Sequence, residues 1–152
     1  MIQDQDFLLR HTAILCASYA RLTGGFLLAP ELPPQQRVAV LDAAPFAVVS
    51  HDTRPDPIFN YANTSALRLF EMDWEQFTRL PSRFSAEALE QSAREALLAR
   101  VSRNGYVDDY SGVRISASGR RFMVRNATVW NLFDESGEYY GQAALLKEWD
   151  YL

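Results

Sequence analysis

The side chains able to do chemistry are few. Two histidines, His11 and His51, one cysteine, Cys16, and short acidic pairs such as Asp108–Asp109 are the material for a reaction centre. Two imidazoles leave most of a metal's coordination sphere empty, and each is read as a satisfied surface or strand-end residue. Cys16 alone makes neither an internal disulfide nor a multi-cysteine metal site. His51 and Asp52 are adjacent, so in an extended strand they point to opposite faces and make a poor dyad; Asp108 and Asp109 alternate likewise. No Ser–His–Asp set follows from spacing, and no glycine-rich phosphate loop is present. The sequence points away from catalysis. An isomerase-like, cone-shaped α+β enzyme is the catalytic alternative, and it needs an Asp or Tyr pair projecting into a deep cavity.

Binding residues are easier to nominate. Strand alternation over 120–133 puts Phe122, Val124, Asn126, Thr128 and Trp130 on one face. A buried amide needs partners, so Asn126 either orients a ligand from the sheet or satisfies itself on Gln142 or backbone within a filled core. Trp130 closes a pocket, sits in a subunit interface, or packs in the core. Asn63 stands where it would cap the helix that follows.

These residues need elements to hold them. The C-terminal stretch from Gly105 to Trp149 reads as three strands, 106–117, 120–133 and 139–149, joined by turns at Ser118-Gly119 and Asp134–Gly137. Upstream, strands over 45–51 and 58–62 form a hairpin. Short helices follow over 64–71, with Ala66, Leu67 and Phe70 at helical spacing, and over 73–80. The spacing predicts a longer helix over 85–103, with Ser85 as its cap and Glu87 in its first turn. Ala86, Leu89, Ala93, Leu97 and Val101 form its apolar stripe, and Glu90 and Arg94 pair on the outside. A helix over 4–22, capped by Asp4, carries Leu8, Leu15 and Leu22 with Tyr19 on the same side. That stripe either packs on the chain's own sheet or pairs with a second copy as a dimer helix. Prolines 30, 33 and 34 mark a linker, and a short helix over 35–43 follows. The division is then an N-terminal helical extension and linker over 1–43 and an α+β unit over 44–152. Strands separated by a block of helices predict an antiparallel five-stranded sheet with helices on one face.

Composition narrows the class. With 152 residues, 48% of them hydrophobic, the chain can bury a core without disulfides or metal. A net charge of −4 argues against a nucleic-acid surface, and the small cluster of Arg120, Arg121 and Arg125 reads as a solvated strand face. No signal-like start and no apolar run of membrane length is present, so a cytoplasmic protein without a membrane partner is expected.

Several stretches together carry a family resemblance. PFAVVSHD at 45–52 and PIFNYANTSALRLFEM at 57–72 resemble the opening of a PAS domain. NYAN at 60–63, ALRLFE at 66–71, GYVDDYSGVRIS at 105–116, GRRFMV at 119–124, VWNL at 129–132 and YYGQAA at 139–144 are similar to the MEKHLA branch of PAS-like domains. SYARLTG at 18–24 resembles that family's N-terminal helix, so the resemblance covers nearly the whole chain. It implies a PAS-like sensory or regulatory fold, found at the C-terminus of plant homeodomain-leucine zipper regulators and as free-standing bacterial proteins. This chain resembles the free-standing bacterial form.

The resemblance frames the cofactors. A flavin adduct needs a cysteine in the helical clamp, and the only cysteine lies in the N-terminal helix. Haem needs an axial ligand, commonly on the central helix, and neither histidine falls there. Gln142 invites comparison with the flavin-contacting glutamine of light-sensing PAS domains, but its offset from Gly141 turns it to the opposite face. Non-covalent flavin is therefore not expected, and no cofactor is expected. The expectation is a non-catalytic signalling module that binds a small ligand or a regulatory protein partner, as a homodimer. Its pocket candidates are Asn63, Phe70, Phe122, Asn126, Trp130 and Gln142; its dimer-helix candidates are Leu8, Leu15, Tyr19 and Leu22. The alternative is a pure protein-interaction or dimerisation module with a filled core.

Overall fold

The computed structural model describes residues 4–86 and 91–152. In chain order the elements are α1 (Gln5–Thr23), α2 (Pro34–Ala43), β1 (Ala47–His51), β2 (Phe59–Ala62), α3 (Thr64–Phe70), α4 (Trp74–Phe77), a 3₁₀ turn (Ser82–Ser85), α5 (Gln91–Asn104), β3 (Tyr106–Ile115), β4 (Arg121–Phe133), β5 (Tyr139–Leu146) and β6 (Glu148–Tyr151). Local chemistry sets the ends. The Asp4 side chain accepts from the amides of Asp6 and Phe7 at 2.9 and 3.3 Å, closing the start of α1. Asp73 and Gln76 exchange bonds as a capping box at the start of α4.

The strands form one antiparallel sheet in the order β2-β1-β5-β4-β3, with β6 also paired to β4. This is the expected α+β, PAS-like architecture, with one addition. The run predicted over 139–149 is broken: β5 pairs with β4 between Thr128 and Phe133, while β6 pairs with it between Phe122 and Arg125.

The break has its counterpart in β4. Asn126 has φ +51°, in the left-handed region, and it is exposed, bonding Glu148 Oε2 at 3.4 Å. One extra residue there reverses the side-chain alternation. Phe122 and Val124 face the inner side, as do Ala127 and Val129, whereas Trp130 and Leu132 face the outer side. The predicted single face from Phe122 to Trp130 is therefore two faces.

Helices cover both. On the inner face, Phe70 of α3, Phe77 of α4, and Leu97 and Val101 of α5 pack over Val49, Val124, Val129 and Leu146. On the outer face, α1 and α2 cover Val48, Trp130, Leu132 and Leu145. The stripe weighed as a dimer helix is used here: Leu8 and Leu15 are buried, Leu22 packs beside them, and Tyr19 meets Trp130 edge-on at 5.1 Å. Burying a leucine side chain contributes about 1.5–3 kcal/mol, so the stripe holds α1 to its own sheet.

α5 also differs from expectation. Its inward residues are Arg94, Leu97 and Val101, spaced i, i+3, i+7, and Ala93 is exposed. Arg94 was expected outside. Glu87, Leu89 and Glu90, assigned to the first turns of this helix, lie outside the described residues. Ser85, expected as the cap, belongs to the 3₁₀ turn and donates to the Ser82 carbonyl at 2.7 Å.

Candidate ligand-binding site

Between the inner face and α5 lies a cavity of about 80 Å³. Its walls are mostly apolar: Val49, Phe59, Phe70, Leu97, Val124, Val129, Ala144 and Leu146. At one end the polar residues gather, His51 and Gln142 from the sheet, Ser82 and Ser85 from the 3₁₀ turn, Arg94 from α5 and Arg114 from β3. The half-buried lining residues Leu98, Tyr110 and Arg114 lie together where α5 crosses β3.

Each polar group is placed by local structure. Ser82 is tied to the hairpin by its amide, which donates to the Pro57 carbonyl at 2.8 Å. Gly141 opposes the end of β1 at φ +147°, and a Cβ there would lie 2.1 Å from the His51 carbonyl oxygen, so only glycine lets β5 approach. Its neighbour Gln142 is then paired with His51 and with Asn131.

These side chains form one hydrogen-bonded chain. Arg94 Nη2 donates to Ser82 Oγ, which lies 3.0 Å from His51 Nδ1. His51 is bonded to Gln142, Gln142 Nε2 donates to Asn131 Oδ1 at 3.0 Å, and Asn131 Nδ2 donates to the Val101 carbonyl at 3.1 Å. The pattern that satisfies every donor has Ser82 donating to Nδ1 and the imidazole N–H pointing at Gln142. Burial foremost, with the Arg94 charge and against the Gln142 bond, lowers the His51 pKa to about 4. The ring is neutral at pH 7. Desolvation also lowers the Arg94 pKa, and the neighbouring Arg114 charge adds to it.

The sequence candidates distribute unevenly. Phe70 and Gln142 line the cavity. Gln142 thus faces inward, because the irregular pairing beside Gly141 restores the face that its offset had reversed. Phe122 lies behind the wall, edge-on to Phe70 at 5.4 Å. Asn63 is a structural bolt: it accepts from Val48 N and Ala66 N at 3.0 and 3.1 Å and donates to the Leu41 and Phe46 carbonyls, both at 2.9 Å. Asn126 is on the surface and Trp130 is under α1, both outside the cavity. The amide that bonds Gln142 is Asn131, five positions along β4. Neither histidine is a surface residue. His11 is fully buried between Ser50 Oγ at 2.8 Å and the Tyr140 hydroxyl at 3.1 Å.

Sequence reasoning missed His51, Ser82, Arg94 and Arg114 as cavity residues. Arg94 had a signal, its spacing from Leu97 and Val101. Cys16 packs with the outer-face core, across the sheet from the cavity. Among the described residues no group of three or more His, Cys, Asp or Glu could hold a metal ion. Among them, too, no helix is long and apolar enough to cross a membrane. The arginine cluster is engaged: Arg125 pairs with Asp150 at 2.8 Å and Arg120 lies over the Tyr151 ring.

The MEKHLA domain model matches residues 9–151. The chain belongs to the MEKHLA-domain family. That match runs across both helical layers of this MEKHLA domain, α1 included. The homeobox-leucine zipper protein ATHB-9 of Arabidopsis thaliana is 27% identical over 103 residues, 66% of this chain. The chain spans 12% of that relative's length. The fold is that of PAS domains. A PAS domain from Colwellia psychrerythraea superposes with TM-score 0.63 at 15% identity, covering 75% of this chain and 94% of that one. The photo-excited blue-light photoreceptor Vivid gives 0.60 at 17% identity, covering 88% and 94%. An RNA-binding light-oxygen-voltage receptor gives 0.62 at 20% identity, covering 80% and 34%.

Proposed function

We propose that this MEKHLA domain is a non-catalytic sensory module in which a small ligand in the inner cavity changes how α1 sits on the outer face. The observation that carries this is β1. His51, at the polar end of the cavity, directly follows Ser50, whose hydroxyl holds His11 of α1 on the other side of the sheet. The pairing of β1 with β2 is irregular at that step. A ligand that moves His51 therefore acts on the strand position that anchors α1, and it biases two packings of one element.

The α1 interface suits such a role. Thr12 Oγ1 and Trp130 Nε1 are buried there with no hydrogen-bond partner among the described residues, and each unmade bond costs about 1–3 kcal/mol. Released, the Leu8–Leu15–Leu22 stripe would be free for a second copy or a regulatory partner. The cavity also favours a small occupant. An engineered cavity of about 150 Å³ takes benzene, so about 80 Å³ suits neither a flavin ring system nor haem. Among the described residues no Asp or Glu lines the cavity, which favours binding over an isomerase-like reaction that needs an acid pair.

The test needs no ligand. Ala144→Val and, separately, Leu98→Phe fill part of the cavity, and hydrogen exchange then reads the α1 amides. Faster or slower α1 exchange at unchanged β3–β4 protection is expected. An α1 indifferent to both substitutions would favour a filled-core interaction module instead.

A further inference from the structure

We infer that the cavity takes a small organic carboxylate, its charged end on Arg94 and its short apolar body against Phe70, Val124, Leu97 and Leu146. The inference rests on the sensory reading and names the chemistry of the ligand. Arg94 is only 8% exposed, yet the described residues give its guanidinium one hydrogen-bond partner, the Ser82 hydroxyl, and no carboxylate. Of the described acids nearby, Asp56 pairs with Arg83 at 3.1 Å and Glu95 is exposed. A second guanidinium, Arg114, lines the same cavity, bonded to Ser85 Oγ at 3.4 Å and lying over the Tyr110 ring. A desolvated cation favours an anionic partner, and among the described residues the lining holds two guanidiniums and no carboxylate. The planar fork of a guanidinium matches the two oxygens of a carboxylate.

The remaining walls set the body of the ligand. Among the described residues they carry no further charge, so they favour hydrocarbon over a second anionic group. Scaled from the benzene-sized cavity of about 150 Å³, about 80 Å³ holds roughly three or four non-hydrogen atoms beyond those at the mouth.

Calorimetric titration of the full chain with formate, propionate, butyrate and isobutyrate, against propionamide and isobutyramide, decides it. Carboxylates are expected to bind and their amides not to. Each added methylene should tighten binding about fourfold until the cavity is full. Arg94→Met should weaken butyrate at least about 30-fold. If that variant does not fold, Arg114→Gln, at the half-buried rim, should weaken it as well, by less. Amides as tight as acids, formate or chloride as tight as butyrate, no binding of any acid at about 10 mM, or butyrate binding untouched by the variants would each overturn the inference. Hydrogen exchange of α1 at saturating butyrate separates it from the sensory reading. A bound acid with unmoved α1 keeps the site and removes the sensor; an amide that binds and moves α1 does the reverse.

Discussion

The two faces of the sheet bury one histidine each, and they treat it differently. On the inner face His51 belongs to a chain of bonds running from Arg94 to the Val101 carbonyl, laid around open space. On the outer face His11 is wedged between Ser50 and Tyr140 under a helix packed over a fully buried Trp130, and two polar atoms nearby have no partner among the described residues. One side has its polar groups joined and its volume unfilled. The other packs tightly around Trp130, keeps its open space, about 270 Å³, apart between α1, α2 and Trp74, and among the described residues leaves its polar groups incompletely joined. Vacant space beside a joined polar network is suited to admitting a molecule; unpaired groups under a helix are suited to letting that helix go.

The largest expected effect breaks the outer face. Leu15→Asp puts a charge at a position with 0% exposure, and loss of its apolar burial and packing alone costs about 2–5 kcal/mol, read as a urea midpoint. Dissociation of a dimer at undiminished stability would instead assign the stripe to a second copy. Next, Gly141→Ala drives a methyl into the His51 carbonyl and forces β5 from β1. A loss on the order of 3 kcal/mol or more follows, and melting within 2 °C of the parent would contradict that contact.

Acid attacks both faces at once. Burial holds the His11 pKa near 3 and that of His51 near 4, below the ordinary 6.5. Above about pH 6.5 the folded and unfolded rings are both neutral and the full stability is present. As pH falls below that, the unfolded chain takes up protons first, so stability drops by about 1.4 kcal/mol per pH unit for each ring until the folded pKa is reached. His51→Gln should remove only its own share of that slope; an unchanged slope between pH 6 and 4 would mean the inner ring is already charged in the fold. The smallest effect sharpens the outer face. Thr12→Val removes an unpaired hydroxyl, and a change between zero and about 1 kcal/mol in favour of folding is expected from thermal melts. A clear loss would give that hydroxyl a partner.

Much of this architecture was legible in the residues. Asp4 and Asn63 cap helices where their types and positions predict, and the turns at Gly119 and Gly137 fall where the strands divide. The pocket was harder to read, for two physical reasons. Alternation is counted from one end of a strand, and Asn126 adds a residue that no composition signal marks, so every side chain after it was assigned the wrong face. Arg94 looks like a solvent residue because arginine usually is one. Its inward place shows only when the phase is counted back from Leu97 and Val101. His51 sits at the last position of β1, and its burial depends on Ser82, a residue of the hairpin-tethered 3₁₀ turn that no local pattern connects to it. Local chemistry reached the caps and turns; the cavity is made by distant pieces.

The extra residue at Asn126 makes length, more than identity, the quantity that β4 must keep. Exchanging Asn126 for glycine or aspartate leaves the count intact and both cores supplied. Deleting it would leave every hydrophobic residue of the strand present and still turn one half of them over, bringing Val129 out beneath α1 and Trp130 in toward the cavity. A strand that serves two masters through one hinge tolerates misspelling there far better than omission.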